Sequence, residues 1–148
     1  MEISTLLSQE LCAAKQSAGS KKKALEVIAQ LAAKKITTIN GDELFQNLVN
    51  RERLGSTGIG QGIAIPHCRH QAITEPNGVC LTLSQAIDFD AIDNQPVDIV
   101  FAVLVPQDAD ESHLQALASI AEKLQDSRRL MRMRKASNDA DLHIAVIE

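Results

Sequence analysis

Apolar residues recur at helical spacing after Ser20. Leu25, Ile28, Leu31, Ala32 and Ile36 fall on one face, which predicts an amphipathic helix over roughly Lys21–Lys35 with Ser20 as its N-cap. Asn40 is placed to cap a second helix, with Leu44, Leu48 and Val49 inward and Gly55 as the stop beyond Leu54. The pattern then changes. Gly55, Gly58, Gly60 and Gly62 fall within eight residues and lead into Ile63-Ala64-Ile65, a short apolar run that reads as a strand stopped by Pro66, with His67 just past its end. Gly78–Leu83 alternates weakly, whereas Val97–Val105 is β-branched and nearly all apolar, as expected of a strand covered on both faces at the centre of a sheet. Asp108 or Asp110 can cap a later helix carrying Leu114, Leu117, Ile120, Ala121 and Leu124 at helical spacing. Ser127–Ile147 reads as one or two more helices, with Ser137 a candidate cap.

Helices before, between and after strands predict an α/β domain whose small sheet is covered on both faces. Two helices precede the first clear strand, and Val79 follows Ile65 too closely for a helical crossover. Parallel neighbours need about a dozen connecting residues, so the sheet is expected to be mixed. The 148 residues carry no repeat, low-complexity tract or linker, and one domain over 1–148 is the expectation.

Composition narrows the partners. With 45% apolar and 23% charged residues the chain is that of a packed globular protein, and with only three Phe its core must be filled by Leu, Ile, Val and Ala. The absence of Trp and Tyr and a net charge of −4 argue against nucleic acid. Cys12, Cys68 and Cys80 are an odd number without a CxxC pair, which speaks against a disulfide framework and points to a reducing, cytoplasmic setting. The N-terminal stretch lacks a basic region followed by an apolar one, and the run Ile99–Pro106 is far short of the ~20 residues of a membrane span, so no membrane insertion is expected. Lys21, Lys22 and Lys23 open their helix with the wrong sign for its dipole and read as a solvated end.

The densest constellation runs from Arg51 through the glycines to Pro66, His67 and Cys68. Pro66 stiffens the chain entering His67, and a presented imidazole with an ordinary pKa of about 6.5 is a nucleophile near neutral pH whose phosphoramidate can pass its phosphoryl group onward. The loop lacks the Lys-Ser/Thr ending of a P-loop, and no G-x-G-x-x-G follows a strand, so ATP and NAD are disfavoured and no cofactor is called for. His113 falls in the first turn of its helix, where unsatisfied N–H groups favour an anion, although taken alone a histidine beside Leu114 reads as a packing residue. Arg51 on its own reads as a solvated helix residue. His67, Cys68 and His70 are ligand types, but they crowd into four residues without a clear fourth, so no metal is expected. His70 and His143 read as surface or helix histidines.

The stretch Arg51–Cys68 resembles the active-site signature of the mannitol/fructose-type enzyme IIA family of the bacterial phosphotransferase system. It has an Arg sixteen residues before the histidine, then Leu-Gly, then Ile-Ala-Ile-Pro-His. His113-Leu114-Gln115 meets the second family element, and Phe89–Pro106 is similar to the nitrogen-regulatory branch in particular. Cys68 stands where that branch usually has Gly, which bears on local backbone freedom and adds a thiol that could be redox-sensitive. The resemblance implies a three-layer α/β/α sandwich, phosphorylation of His67 by an HPr-like phosphocarrier, and regulatory contacts with cytoplasmic target proteins that depend on phosphorylation. It implies that Arg51 and His113 stabilise the phosphoryl oxygens, with Ser56, Thr57, Gly58 and Gly60 in a supporting loop. Two competing readings are a sugar-specific enzyme IIA that passes phosphate to a transporter IIB domain, and a binding module of the same fold without phosphoryl turnover.

Overall fold

The computed structural model describes residues 2–148. A helical turn, α1 (Ile3–Leu6), and a 3-10 turn at Gln9–Leu11 lead into β1 (Cys12–Gln16), α2 (Lys21–Lys35) and α3 (Gly41–Glu52). Four strands follow, β2 (Gly58–Gly60), β3 (Ile63–Ala64), β4 (His67–His70) and β5 (Asn77–Ile87), and then β6 (Val97–Pro106). The chain finishes with α4 (Glu111–Leu124), α5 (Ser127–Lys135) and α6 (Asp139–Ile147).

The helices start where polar side chains can satisfy their first N–H groups. Ser20 accepts from the Lys23 amide at 3.1 Å and Asn40 from the Glu43 amide at 3.0 Å. Asp110, of the two candidate aspartates, caps α4 by accepting from the Ser112 amide at 3.0 Å. Asn138 rather than Ser137 caps α6, its Oδ1 accepting from the Asp141 amide at 2.8 Å. Ile120 and Leu124 of α4 are fully buried and Leu117 and Ala121 pack against the core. The side chain of Leu114, expected beside them, lies outside the described residues.

The six strands form one mixed sheet in the order β1-β5-β6-β3-β2, with β4 also on β6. β1 runs parallel to β5, β5 is antiparallel to β6, and β3 and β4 both run parallel to β6. Eight of the ten β6 positions are buried, so helices cover both faces of the central strand, giving an α/β/α sandwich. Val79, Leu81, Ile99 and Phe101 have no exposed surface. At about 1.5–3 kcal/mol for each large apolar side chain fully buried, the β5–β6 pair is the stability centre.

Two expectations are corrected. The sheet begins before the helices, because Cys12–Gln16 pairs with β5. Its composition is weak for a strand, and a positive φ of 54° at Lys15 breaks the register there, with the Lys15 amide donating to Thr82 Oγ1 at 2.8 Å. β3 does stop short of Pro66, but His67 does not lie beyond the sheet. Ile63 and Ala64 pair with Ile99 and Val100, and beyond Pro66 the chain resumes on the same edge with His67 opposite Val103. The Pro66 carbonyl accepts from the Val103 amide at 2.8 Å, so the proline that cannot donate still serves the ladder as an acceptor.

Candidate functional site

His67 therefore opens a strand and is held by the sheet itself. Its Nδ1 lies 3.2 Å from the Ile65 carbonyl, an acceptor only, so Nδ1 carries the proton. Its Nε2 accepts from Arg51 Nε–H at 3.3 Å and must present a lone pair. Both contacts select one neutral tautomer. Burial holds the imidazole below its ordinary pKa, and the Arg51 charge acts in the same direction, against the opposing Ile65 hydrogen bond and the Glu52 charge. The ring is thus neutral at neutral pH, with an unprotonated Nε2 against a guanidinium.

Arg51 reaches this position from the last turn of α3, where its Nη1 also donates to the Gly55 carbonyl at 3.0 Å. Far from being a solvated helix residue, it lies against His67. Two clefts flank the pair. One of about 450 Å³ is lined by Asn47, Asn50, Arg51, Leu54, His67 and Arg69 among others, with no carboxylate. The other, of about 280 Å³, has an apolar wall of Ile59, Ile65, Leu117, Ala118 and Ala121. Leu54 stands 84% exposed at the rim of the larger one. A basic, carboxylate-free recess beside a nucleophilic nitrogen suits a phosphoryl group.

The supporting loop is held by the protein's own hydrogen bonds. The Thr57 amide donates to Glu52 Oε2 at 3.0 Å and its hydroxyl to Oε1 at 2.7 Å. Ser56 Oγ donates to the Phe89 carbonyl at 2.6 Å and accepts from the Gly58 amide at 3.0 Å. Gly60 lies next to the Asp93 carboxylate. Ser56 and Thr57 line the smaller cleft, but the Ser56 hydroxyl, both Thr57 donors and the Gly58 amide are committed to the protein, and Asp93 would repel an anion at Gly60. The loop is a scaffold, and Gly58 is needed because a Cβ there would meet Ala91 at 2.8 Å.

Glu52, which sequence reasoning passed over, anchors that scaffold. It is buried and also faces Lys21 Nζ at 3.3 Å. Lys21 lies 2.9 Å from Asp90 and 5.4 Å from the centre of the Phe89 ring, so it is not a solvated helix end. The only sequence signal was a carboxylate next to Arg51 at the end of α3.

His113 is at the expected helix start, but its Nδ1 is held 3.2 Å from Asp110 Oδ1 within the capping box, and it lines neither cleft. Leu117, one turn further along the same helix face, does line the smaller cleft. Strand alternation puts Cys68 and His70 on the buried face of β4, although Cys68 still borders the larger cleft beside His67. His70 is buried, not a surface residue, with Nδ1 accepting from the Ala72 amide at 3.0 Å. His143 Nε2 lies 3.1 Å from the Leu7 carbonyl. Burial pushes the Cys68 thiol up to about 12, so it stays protonated at neutral pH. Among the described residues no three His, Cys, Asp or Glu side chains group as metal ligands, and no helix is long and apolar enough to cross a membrane.

Comparison with known proteins places this geometry. Residues 5–148 match the family described as "Phosphoenolpyruvate-dependent sugar phosphotransferase system, EIIA 2". The "Nitrogen regulatory protein" of Escherichia coli (strain K12) is 42% identical over 144 residues, covering 97% of this chain and 88% of its own. That of Pseudomonas aeruginosa is 45% identical over 130 residues, covering 88% and 84%. The crystal structure of "Nitrogen Regulatory Protein IIA-Ntr" from Neisseria meningitidis superposes with a TM-score of 0.87 at 30% identity, covering 97% of this chain and 98% of its own. With His67 at the start of an edge strand and Arg51 on its Nε2, the chain belongs to the EIIA 2 family of the phosphotransferase system, and its sequence is similar to that of the family's nitrogen regulatory proteins.

Proposed function

We propose that His67 takes a phosphoryl group from an HPr-like phosphocarrier protein and that the chain signals in the cytoplasm through target proteins whose binding depends on that phosphorylation. The observation that carries this reading is the His67 tautomer, with Nδ1–H on the Ile65 carbonyl and the Nε2 lone pair at Arg51. The lone pair attacks phosphorus, the new N–P bond forms as the donor's bond to phosphorus breaks, and that bond's electron pair stays with the donor. No proton has to leave His67 first, because the nitrogen that attacks carries none. Arg51 neutralises charge on the phosphoryl oxygens. His113 joins it by turning from Asp110 toward the smaller cleft. Residues 1–148 act as one domain, with Ser56, Thr57, Gly58 and Gly60 shaping the loop.

A phosphohistidine adds close to two negative charges beside the exposed Leu54 and the apolar wall of the smaller cleft. Partners that dock there with apolar or acidic surface are repelled, so the unphosphorylated form engages its targets. The test is labelling by a phosphorylated HPr-like protein followed by mass spectrometry. Wild type and His143→Ala take an acid-labile, alkali-stable label, and His67→Ala takes none. An acid-stable label, or full labelling of His67→Ala, refutes the assignment. Identical partners captured by phosphorylated and unphosphorylated protein refute the switch.

A further inference from the structure

The molecule carries a second charged surface that phosphoryl chemistry does not use. Five of the nine residues of α5 are basic, in a chain of net charge −4. Leu130 and Met133 turn inward and are buried. Arg129 and Arg134 are spent on the fold, the first donating to the Lys123 and Glu148 carbonyls and the second gripping Asp98 and the Gln61 carbonyl. Arg128, Arg132 and Lys135 remain exposed and, among the described residues, make no ion pair. They line one face at i, i+4 and i+7, with Met131 between them at 56% exposure. Beside this stripe a shallow cleft of about 300 Å³ is lined by Arg132, Lys135, Ala136 and, from α6, Ile144 and Ala145, with Ile144 47% exposed.

We propose that this α5–α6 face docks an acidic amphipathic protein segment that lays carboxylates along Arg128, Arg132 and Lys135 and an apolar side chain between Met131 and Ile144. Unpaired cations on a rigid helix, spaced one turn apart around an apolar patch, match a helix of opposite charge pattern. Asp141 and Glu148 also line the cleft and disfavour an anionic membrane or a nucleic-acid backbone, whose negative charge is uniform, whereas a segment can keep its carboxylates along α5. The face is separate from His67. Asp98, gripped by Arg134, and Val103, opposite His67, are five positions apart on β6, roughly 16 Å at ~3.3 Å per residue. Docking here is therefore independent of the phosphorylation state.

The test uses the full chain and a fluorescent synthetic helical peptide with glutamates one turn apart beside a leucine stripe. Comparators are a same-composition scrambled peptide, phosphatidylglycerol vesicles and duplex DNA. Amide chemical shifts are expected to move in α5 and α6 and not at His67. Affinity falls about tenfold or more in Arg128→Glu/Arg132→Glu/Lys135→Glu and also in the milder all-Gln variant, and about threefold in Met131→Ser. It is unchanged in His67→Ala and in the control Lys22→Glu/Lys23→Glu on α2. Equal weakening by the control pair, equal binding of the scrambled peptide, no effect of the all-Gln variant, or tighter binding of vesicles or DNA than of the peptide overturns the proposal. Because His67→Ala retains this binding, failure of the phosphocarrier reading would leave the docking result unaffected.

Discussion

Glu52→Leu isolates the link between the buried carboxylate and the active arginine. The side chain is 5% exposed and accepts the Thr57 amide, the Thr57 hydroxyl and Lys21. Leucine fills similar space but leaves two Thr57 donors without partners in a residue that is itself 5% exposed. Each orphaned buried donor costs about 1–3 kcal/mol, and Lys21 keeps Asp90, so the expected loss is ~2–6 kcal/mol. For a chain of this length that lowers Tm by roughly 4–24 °C, at ~2–4 °C per kcal/mol. Glu52→Gln retains one acceptor oxygen and should lose about half as much. The Gly55 carbonyl that orients Arg51 sits between Glu52 and Thr57, so both variants should also slow His67 labelling under conditions where they remain folded. Urea denaturation followed by circular dichroism, alongside the labelling rate of the folded protein, checks both effects. A Glu52→Leu midpoint within about 0.5 kcal/mol of wild type would refute the anchoring role. Lost stability with an unchanged labelling rate would refute the link to Arg51.

Arg51→Ala should slow phosphorylation of His67 by on the order of 10²–10³, with His113→Ala slowing it less because that side chain must first leave Asp110; wild-type rates in both would remove them from the site. By imidazole NMR, His67 should titrate below its ordinary value of about 6.5, and in Arg51→Ala it should rise only part of the way back, because burial is the larger cause. A lowered native pKa means the unfolded chain binds more protons, so this contribution to stability is complete above about pH 6.5 and is lost as the pH falls through the native value. A His67 midpoint at or above 6.5 contradicts the neutral tautomer. Gly62→Ala should cost about 1–3 kcal/mol in urea melts, since φ is +79° and the new Cβ would meet Arg134 Nη2 at 2.5 Å and Asp98 Oδ1 at 2.8 Å; an unchanged midpoint would refute that crowding.

What the sequence determined by itself is whatever rests on short-range chemistry. Ser20, Asn40 and one of the aspartates at 108 and 110 sit within a few residues of the N–H groups they satisfy, and the apolar run of β6 must be covered on both sides wherever it lies. The spacing of Arg51 and His67 and the Ile-Ala-Ile-Pro-His run were likewise legible as a motif. Tertiary structure alone decided the rest, because those features depend on partners distant in the chain. β1 is a strand because β5 lies beside it, and Pro66 interrupts rather than ends its edge because Val103 donates to its carbonyl. His70 is buried because β4 pairs with β6, not because of its neighbours in sequence. The Ser56–Gly58 loop became scaffold because Glu52 and Phe89 claim its donors, and Lys21 was drawn from solvent by Glu52, Asp90 and Phe89. Periodicity reports which face of an element meets the core, whereas which donor meets which acceptor across the core is set only when the elements pack.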